Sequence, residues 1–333
     1  MRRAVCILLL LFLTVSMILC KALLPNDALQ SIEGSEASKE TQFELDGDTT
    51  QTTQDDEVYV PLQSLQNLPD IPGFSDRVDD SNKVFRSRLA SVEKQLYDKF
   101  LPYVLSFIPV LIPCRNMDYD AESLTNALYA IQWDYPETWI YFQTYCEYDP
   151  SWFLNPSGDQ YDNMYAVALR YDAMDFFADD GEHFDVPYVK DYIDRVNKAC
   201  DAILEQMPQG LSTREKYIWL ADYLCSVTEY EDKVEYIYAD GPILYGKGIC
   251  QSYAYAYQWL CQNAGLWCTS CSGWAGDLGH CWNVVKLDNG KTYYMDVTWA
   301  DSSNKPNLFY FMTYERCLLN CTLDEGEWIA DGD

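Results

Sequence analysis

Basic residues are scarce in this chain. Its 333 residues hold 23 Lys and Arg against 52 Asp and Glu, a formal net charge of −29. A surface this acidic repels nucleic acid and anionic lipid. No nucleic-acid partner is expected, and membrane contact is expected only through an N-terminal anchor or lipid. Histidine is rarer still, with two copies, His183 and His280. No Cys pair has a partner pair of Cys or His at zinc-finger spacing. No run has the Asp/Asn/Gly spacing of a calcium loop, so no metal or other cofactor is expected. No internal repeat is visible. Apolar residues, by contrast, are plentiful. At 48% hydrophobic and 15% aromatic, with 27 tyrosines, the chain can build a substantial core in one large or two modest domains.

Residues 1–21 read as an export signal. Arg2 and Arg3 form its positive end, and an apolar run extends from Ala4 to Leu19. That run is short for a spanning helix, which favours cleavage. Cys20 would fit a lipoprotein signal, although Leu19 stands where a small residue is expected. Cleavage after Ala22 and an uncleaved anchor are the alternatives. All of them make the body secreted or surface-anchored outside the cytoplasm. Residues 22–84 are polar and acidic and cannot bury enough apolar area to offset their ordering entropy, so they read as a disordered tether.

An accessory α/β region is expected over 85–194 and a core over 195–333. Leu89, Val92, Leu96 and Phe100 follow helical spacing until Pro102 and an apolar run to Pro113 interrupt it. Asp120 can cap a second helix, with Leu124, Ala127, Leu128 and Ile131 on its stripe, ended by Pro136. Two strands are expected, from Thr138 to Cys146 and from Met164 to Tyr171, joined through a turn at 155–158. His183 follows a turn at 179–182 and reads as a surface histidine. A third helix carries Ile193, Val196, Cys200, Ile203, Leu204 and Met207. Ser212 and Glu215 have capping-box spacing at the head of a fourth, with Ile218, Ala221, Leu224 and Cys225 facing inward.

Three residues between Tyr245 and Asp301 bring together the parts of thiol acyl-transfer chemistry: Cys250, His280 and Asp296. Cys250 follows Gly248 at the expected start of a helix that Gly265 ends. There the outward-pointing N–H groups favour thiolate over thiol. Strands are expected at 266–273, 281–287 and 291–299, the last two forming a hairpin. If Asp288, Asn289 and Gly290 form a three-residue turn, Leu287 pairs with Lys291 and Trp282 with Asp296. His280 is then diagonal to Asp296 on the same face. A two-residue turn would put them on opposite faces. Cys268 and Cys271 have CxxC spacing but alternate like a strand. Setting aside Cys6, Cys20 and Cys250, an even ten cysteines permit disulfides in an exported chain. Burial as small apolar side chains explains them equally well.

GKGICQSYAYAYQWLCQNAGL, GHCWNVVKL and YYMDVTWAD resemble the three motifs of the transglutaminase-like superfamily, in its bacterial exported branch. Cys250 matches the family's nucleophile, His280 its histidine and Asp296 its aspartate, in the family's order. Where the family commonly has a two-residue Asp-Gly turn, this chain has Asp288-Asn289-Gly290, and Cys281 stands where alanine is frequent. The resemblance is strong over about residues 195–325. It implies an α+β, transglutaminase-like or papain-like cysteine fold, with the cysteine helix packed on an antiparallel sheet and a mainly helical N-terminal extension. The superfamily holds cross-linking enzymes, peptidases, amidases and members that have lost activity.

The leading expectation is thus a transferase or hydrolase acting on protein or peptide amides. Trp282 and Trp299 are candidate walls of a substrate tunnel, with core packing as their competing role. The rival reading is a non-catalytic surface module binding protein or glycan through exposed tyrosines.

Overall fold

The computed structural model describes residues 76–106, 111–113, 119–141, 144–147, 164–168, 186–231, 236–324 and 326–333. The expected export signal, most of the expected tether, His183 and the turns at 155–158 and 179–182 lie outside the described residues. Residues 76–84, expected as the end of the tether, pack on the core instead. Val78, Asn82 and Val84 are buried. Asn82 Oδ1 accepts the N–H of Cys268 at 3.0 Å, and Arg77 pairs with Glu137 and lies over the Trp259 ring.

The first helical stretch is two helices, α1 (Val84–Arg88) and α2 (Ser91–Leu105), because Leu89 adopts an extended backbone. Pro102 sits inside α2 and does not end it. An interior proline costs about 3 kcal/mol, but Leu101 and Val104 beside it are buried, and α2 packs along α3 (Ala121–Asp134). Asp120 caps α3 through Ser123 N–H at 2.8 Å, and Leu124, Ala127, Leu128 and Ile131 are buried as expected. Strand β1 (Leu111–Pro113) precedes α3.

Residues 138–141 form a helical turn, α4 (Thr138–Tyr141), where a strand was expected. Pro136 fixes φ in the helical range. The Thr138 N–H then returns to Tyr135 O at 2.9 Å and that of Ile140 to Glu137 O at 3.1 Å. The strand character survives only as β2 (Thr144–Glu147), which joins β3 (Met164–Ala168) and β1 in an antiparallel sheet of order β1-β3-β2.

Helix α5 (Val186–Leu204) runs through the expected boundary at 194/195 as one element. Helix α6 (Thr213–Val227) opens on the capping box as read. Glu215 N–H reaches Ser212 Oγ at 3.3 Å, and Ser212 N–H reaches Glu215 Oε2 at 2.9 Å. Its buried stripe is Tyr217, Leu220, Ala221 and Leu224, so Ile218 and Cys225 lie at its margin. Two short parallel strands, β4 (Glu229–Tyr230) and β5 (Lys247–Gly248), lead into α7 (Cys250–Asn263). Gly246 between them has φ +62°, and a Cβ there would lie 2.5 Å from Val227 O.

After α7, β6 (Cys268–Ala275), β7 (Leu278–Lys286), β8 (Thr292–Met295) and β9 (Thr322–Leu323) form an antiparallel sheet of order β8-β7-β6-β9. Asn283 pairs with Met295 and Lys286 with Thr292, the register of the three-residue turn. Leu287 N–H donates to Lys291 O at 2.9 Å, and Gly290 takes φ +81°. The last strand does not reach Trp299 as expected. It stops at Met295, and Asp296 turns the chain into α8 (Val297–Ser302).

Helix α7 packs on β6 and β7 and touches α6 and α8, with Val285, Met295 and Val297 among the buried residues of that layer. The other face of the sheet is covered by Met312, α9 (Tyr314–Cys317), Cys321 and Trp328. Cys268 and Cys271, three apart on β6, belong to these two different layers and cannot share a ligand. Cys200, Cys225, Cys250, Cys261, Cys268, Cys271, Cys281, Cys317 and Cys321 are in no disulfide. Among those residues no group of three His, Cys, Asp or Glu could hold a metal ion, and no helix is long and apolar enough to cross a membrane.

Candidate active site

His280 Nε2 and Asp296 Oδ2 are 2.7 Å apart. Both side chains are nearly inaccessible, 5% and 1% exposed. A carboxylate only accepts hydrogen bonds, so the Nε2 proton lies between them and fixes the imidazole tautomer. The register explains the meeting. His280 shares its face of β7 with Trp282 and Val284; β8 ends at Met295, opposite Asn283, and the next residue, Asp296, comes level with Trp282 and so lies diagonal to the imidazole. Asp296 does a second task. Its Oδ1 accepts the N–H of Trp299 at 2.9 Å and so caps α8.

Cys250 is the first residue of α7 and is buried. The residue before it, Ile249, offers no side-chain cap. Ser252 supplies half of one, its Oγ accepting the Ile249 N–H at 2.8 Å. The positive end of the helix is therefore directed at the region around Cys250. Gly248 is needed there, since a Cβ would lie 2.3 Å from Ser252 Oγ. Burial first, then the neighbouring Cys281, Tyr238 and Cys250, holds the hydroxyl of Tyr255, in the next turn of α7, well above the ordinary tyrosine range. The helix is pinned to the sheet by a buried polar network. Gln258 Oε1 accepts from Ser270 N–H at 2.9 Å and from Ser270 Oγ at 2.7 Å, and Asn283 Nδ2 donates to Ala254 O at 2.9 Å.

Trp282 and Trp299, expected as tunnel walls or core, stack on the His280 ring. The centroids are 5.5 Å and 4.7 Å away, at 29° and 18°. Trp282 is buried and Trp299 half-buried. The sequence reading missed Ser252, Gln258, Ser270 and Asn283. Their signal was available, as polar residues at positions facing an otherwise apolar helix–sheet layer.

Electrostatics separate other thiols from the reactive kind. Burial pushes Cys200 and Cys225 up to about 12 and holds Cys268, Cys271 and Cys281 well above the ordinary thiol range. A hydrogen bond with Cys317, then burial, raises Cys321. Thiols so held are poor nucleophiles near neutral pH.

No protein-family model matches the chain, and no curated protein matches it. Solved structures give partial likenesses. A putative cysteine protease from Cytophaga hutchinsonii aligns with TM-score 0.28 and 17% identity over 31% of this chain and 37% of that one. A crystal structure of a TGase aligns with TM-score 0.26 and 14% identity over 40% of each. This chain therefore spans well under half of either protein, and neither likeness carries an activity to it.

Proposed function

We propose that this chain is an exported cysteine-dependent enzyme that transfers or hydrolyses the acyl group of protein or peptide amides through a thioester on Cys250. The buried His280–Asp296 bond carries the reading. It fixes the tautomer of an imidazole on β7, a strand against which the helix opened by Cys250 packs. With the Nε2 proton committed to Asp296, Nδ1 carries the lone pair that accepts a proton. His280 takes the Cys250 proton there, and Asp296 stabilises the resulting imidazolium. The thiolate adds to the amide carbonyl, and N–H groups opening α7 receive the oxyanion. His280 returns its proton to the leaving ammonia or amine as the C–N bond breaks. An amine or water then releases the acyl group and restores the thiol.

Alkylation with iodoacetamide near neutral pH tests the thiol. Labelling should concentrate on Cys250, vanish there in Cys250→Ala and slow in His280→Ala; equal labelling of Cys250 with and without His280 would refute the triad. A glutamine peptide incubated with a labelled primary amine separates the reactions by mass, as amine adduct, deamidation or backbone cleavage. An unchanged peptide beside a reactive thiol would rule out glutamine amides as substrates. The non-catalytic reading needs an exposed tyrosine face. Tyr97, Tyr135, Tyr217, Tyr253, Tyr255, Tyr257, Tyr293 and Tyr294 are buried, which counts against it, while Tyr129, Tyr188, Tyr230 and Tyr245 are exposed.

A further inference from the structure

We propose that Trp299 and Trp282 form an aromatic clamp that holds His280 against Asp296 and stabilises its protonated form, making both tryptophans positioning residues. The significance for catalysis rests on the acid–base role given to His280 above. The geometry stands by itself. Two indoles at 4.7 Å and 5.5 Å, both nearly parallel to the imidazole, present their electron-rich faces to it. A neutral ring gains ordinary stacking from this arrangement, and an imidazolium gains cation–π attraction as well. Both contacts are largely removed from water, where that attraction is greater.

Trp299 is attached to the dyad twice. Its backbone N–H holds Asp296 Oδ1 at 2.9 Å while its indole covers His280. Phe309 backs that indole edge-on at 5.7 Å, and Tyr294 meets Trp282 edge-on at 6.3 Å, so neither plate of the clamp stands alone. The two plates come from different elements, β7 and α8. The turn at Asp296, which binds the ring, also opens the helix that carries Trp299.

The titratable groups on elements around β7 include Cys250, Tyr253, Tyr255, Tyr257 and Cys261 on α7, Cys268 and Cys271 on β6, Cys281 and Lys286 on β7 itself, Tyr293 and Tyr294 on β8, and Cys321 beyond α9. Asp324 and Glu327 lie in the C-terminal segment. Asp296 interacts electrostatically with Cys271, Cys281 and Cys321. Arg88 approaches Glu327 at 3.9 Å. Substitutions at Trp299 leave all of these groups in place, along with the backbone N–H on Asp296.

The test is the imidazole titration of His280, followed by NMR in the folded full chain and assigned by loss of the His183 signal in His183→Asn. Trp299→Leu should move the midpoint about one pH unit lower. Trp299→Phe, which keeps a weaker ring, should move it by a fraction of that. The acid limb of Cys250 alkylation should move the same way. A midpoint unmoved or raised in both variants would overturn the clamp. If Trp299→Leu does not fold, Trp299→Phe decides alone: a downward shift supports the clamp, none overturns it. An unreactive Cys250 would sink the acyl-transfer reading without touching this titration.

Discussion

Asp296 holds His280 and a helix at once, one carboxylate oxygen on the imidazole at 2.7 Å and the other on the Trp299 N–H at 2.9 Å. Two substitutions separate the tasks. Asp296→Asn keeps an acceptor for the cap and loses the charge facing the ring. Its reactivity should fall, by roughly 10⁴ where turnover is read, the scale set by a lost orienting carboxylate, with little change in melting temperature. Asp296→Ala should lose the cap as well, about 1 kcal/mol more in stability. Alkylation rates of Cys250 and denaturant unfolding measure the two separately. Equal stability loss in both variants would show that the cap contributes nothing.

Gly273 faces His280 across the β6–β7 ladder and Leu323 on its other side. A Cβ at this position would lie 1.9 Å from Thr322 O and 2.8 Å from the Trp282 ring. Gly273→Ala should therefore detach β9 or push Trp282 from the imidazole. The cost is roughly 1–3 kcal/mol. Limited proteolysis should show faster cleavage near residues 319–326, while Gly265→Ala, which clashes with nothing and costs only the strain of an alanine at φ +71°, should leave that cleavage unchanged.

The His–Asp meeting was legible because β-hairpin register is arithmetic. Once Gly290 takes a left-handed turn, every pairing back to residue 282 follows. The Asp120 cap, the capping box at Ser212 and the stop at Gly265 were legible for the same reason, as local chemistry with short range. What escaped was decided at long range. Pro102 stays helical because of α3, which lies elsewhere in the chain. Residues 76–84 look like tether by composition, yet Ser81 and Asn82 find partners nearly two hundred residues away, in Trp267 and Cys268. Trp282 and Trp299 stack on one ring only because Asp296 ends β8 one residue past Met295, a choice that alternation alone does not announce.

The N-terminal helices are part of the core's support. Trp139 stacks on Tyr255 at 5.7 Å and Trp133 meets it edge-on at 5.7 Å. Gln258 Nε2 donates to Trp133 O at 2.8 Å and Gln262 Nε2 to Asp134 O at 3.2 Å. A chain beginning at residue 186 would expose that side of α7 and should be recovered as aggregate. In the full chain Trp139→Ala should cost about 3 kcal/mol and slow alkylation of Cys250 through loosening of α7. A soluble, cooperatively melting 186–333 fragment would contradict this.

Stability should fall as pH rises from about 4 to 7, against the usual trend of paired carboxylates. Asp134 is buried, takes the N–H groups of Phe85 and Arg86 at 3.0 Å each and the Tyr97 hydroxyl at 3.0 Å, yet burial outweighs these bonds and raises it from 3.8 to about 7. A carboxyl group raised on folding binds its proton more tightly in the folded state. Its contribution is complete below the unfolded value and is lost as pH climbs through the folded one. For Asp134 that loss is on the order of 4 kcal/mol. Asp301 and Glu327, also raised by burial, act in the same direction. Asp120 and Glu215, lowered by their helix-capping bonds, act oppositely but only below their ordinary values, so they leave the window clear. Urea unfolding at steps between pH 4.5 and 7.5 should show the slope, and Asp134→Asn should flatten it while lowering stability at the acid end. A stability that rises across this range would mean that the three donors, not burial, govern Asp134.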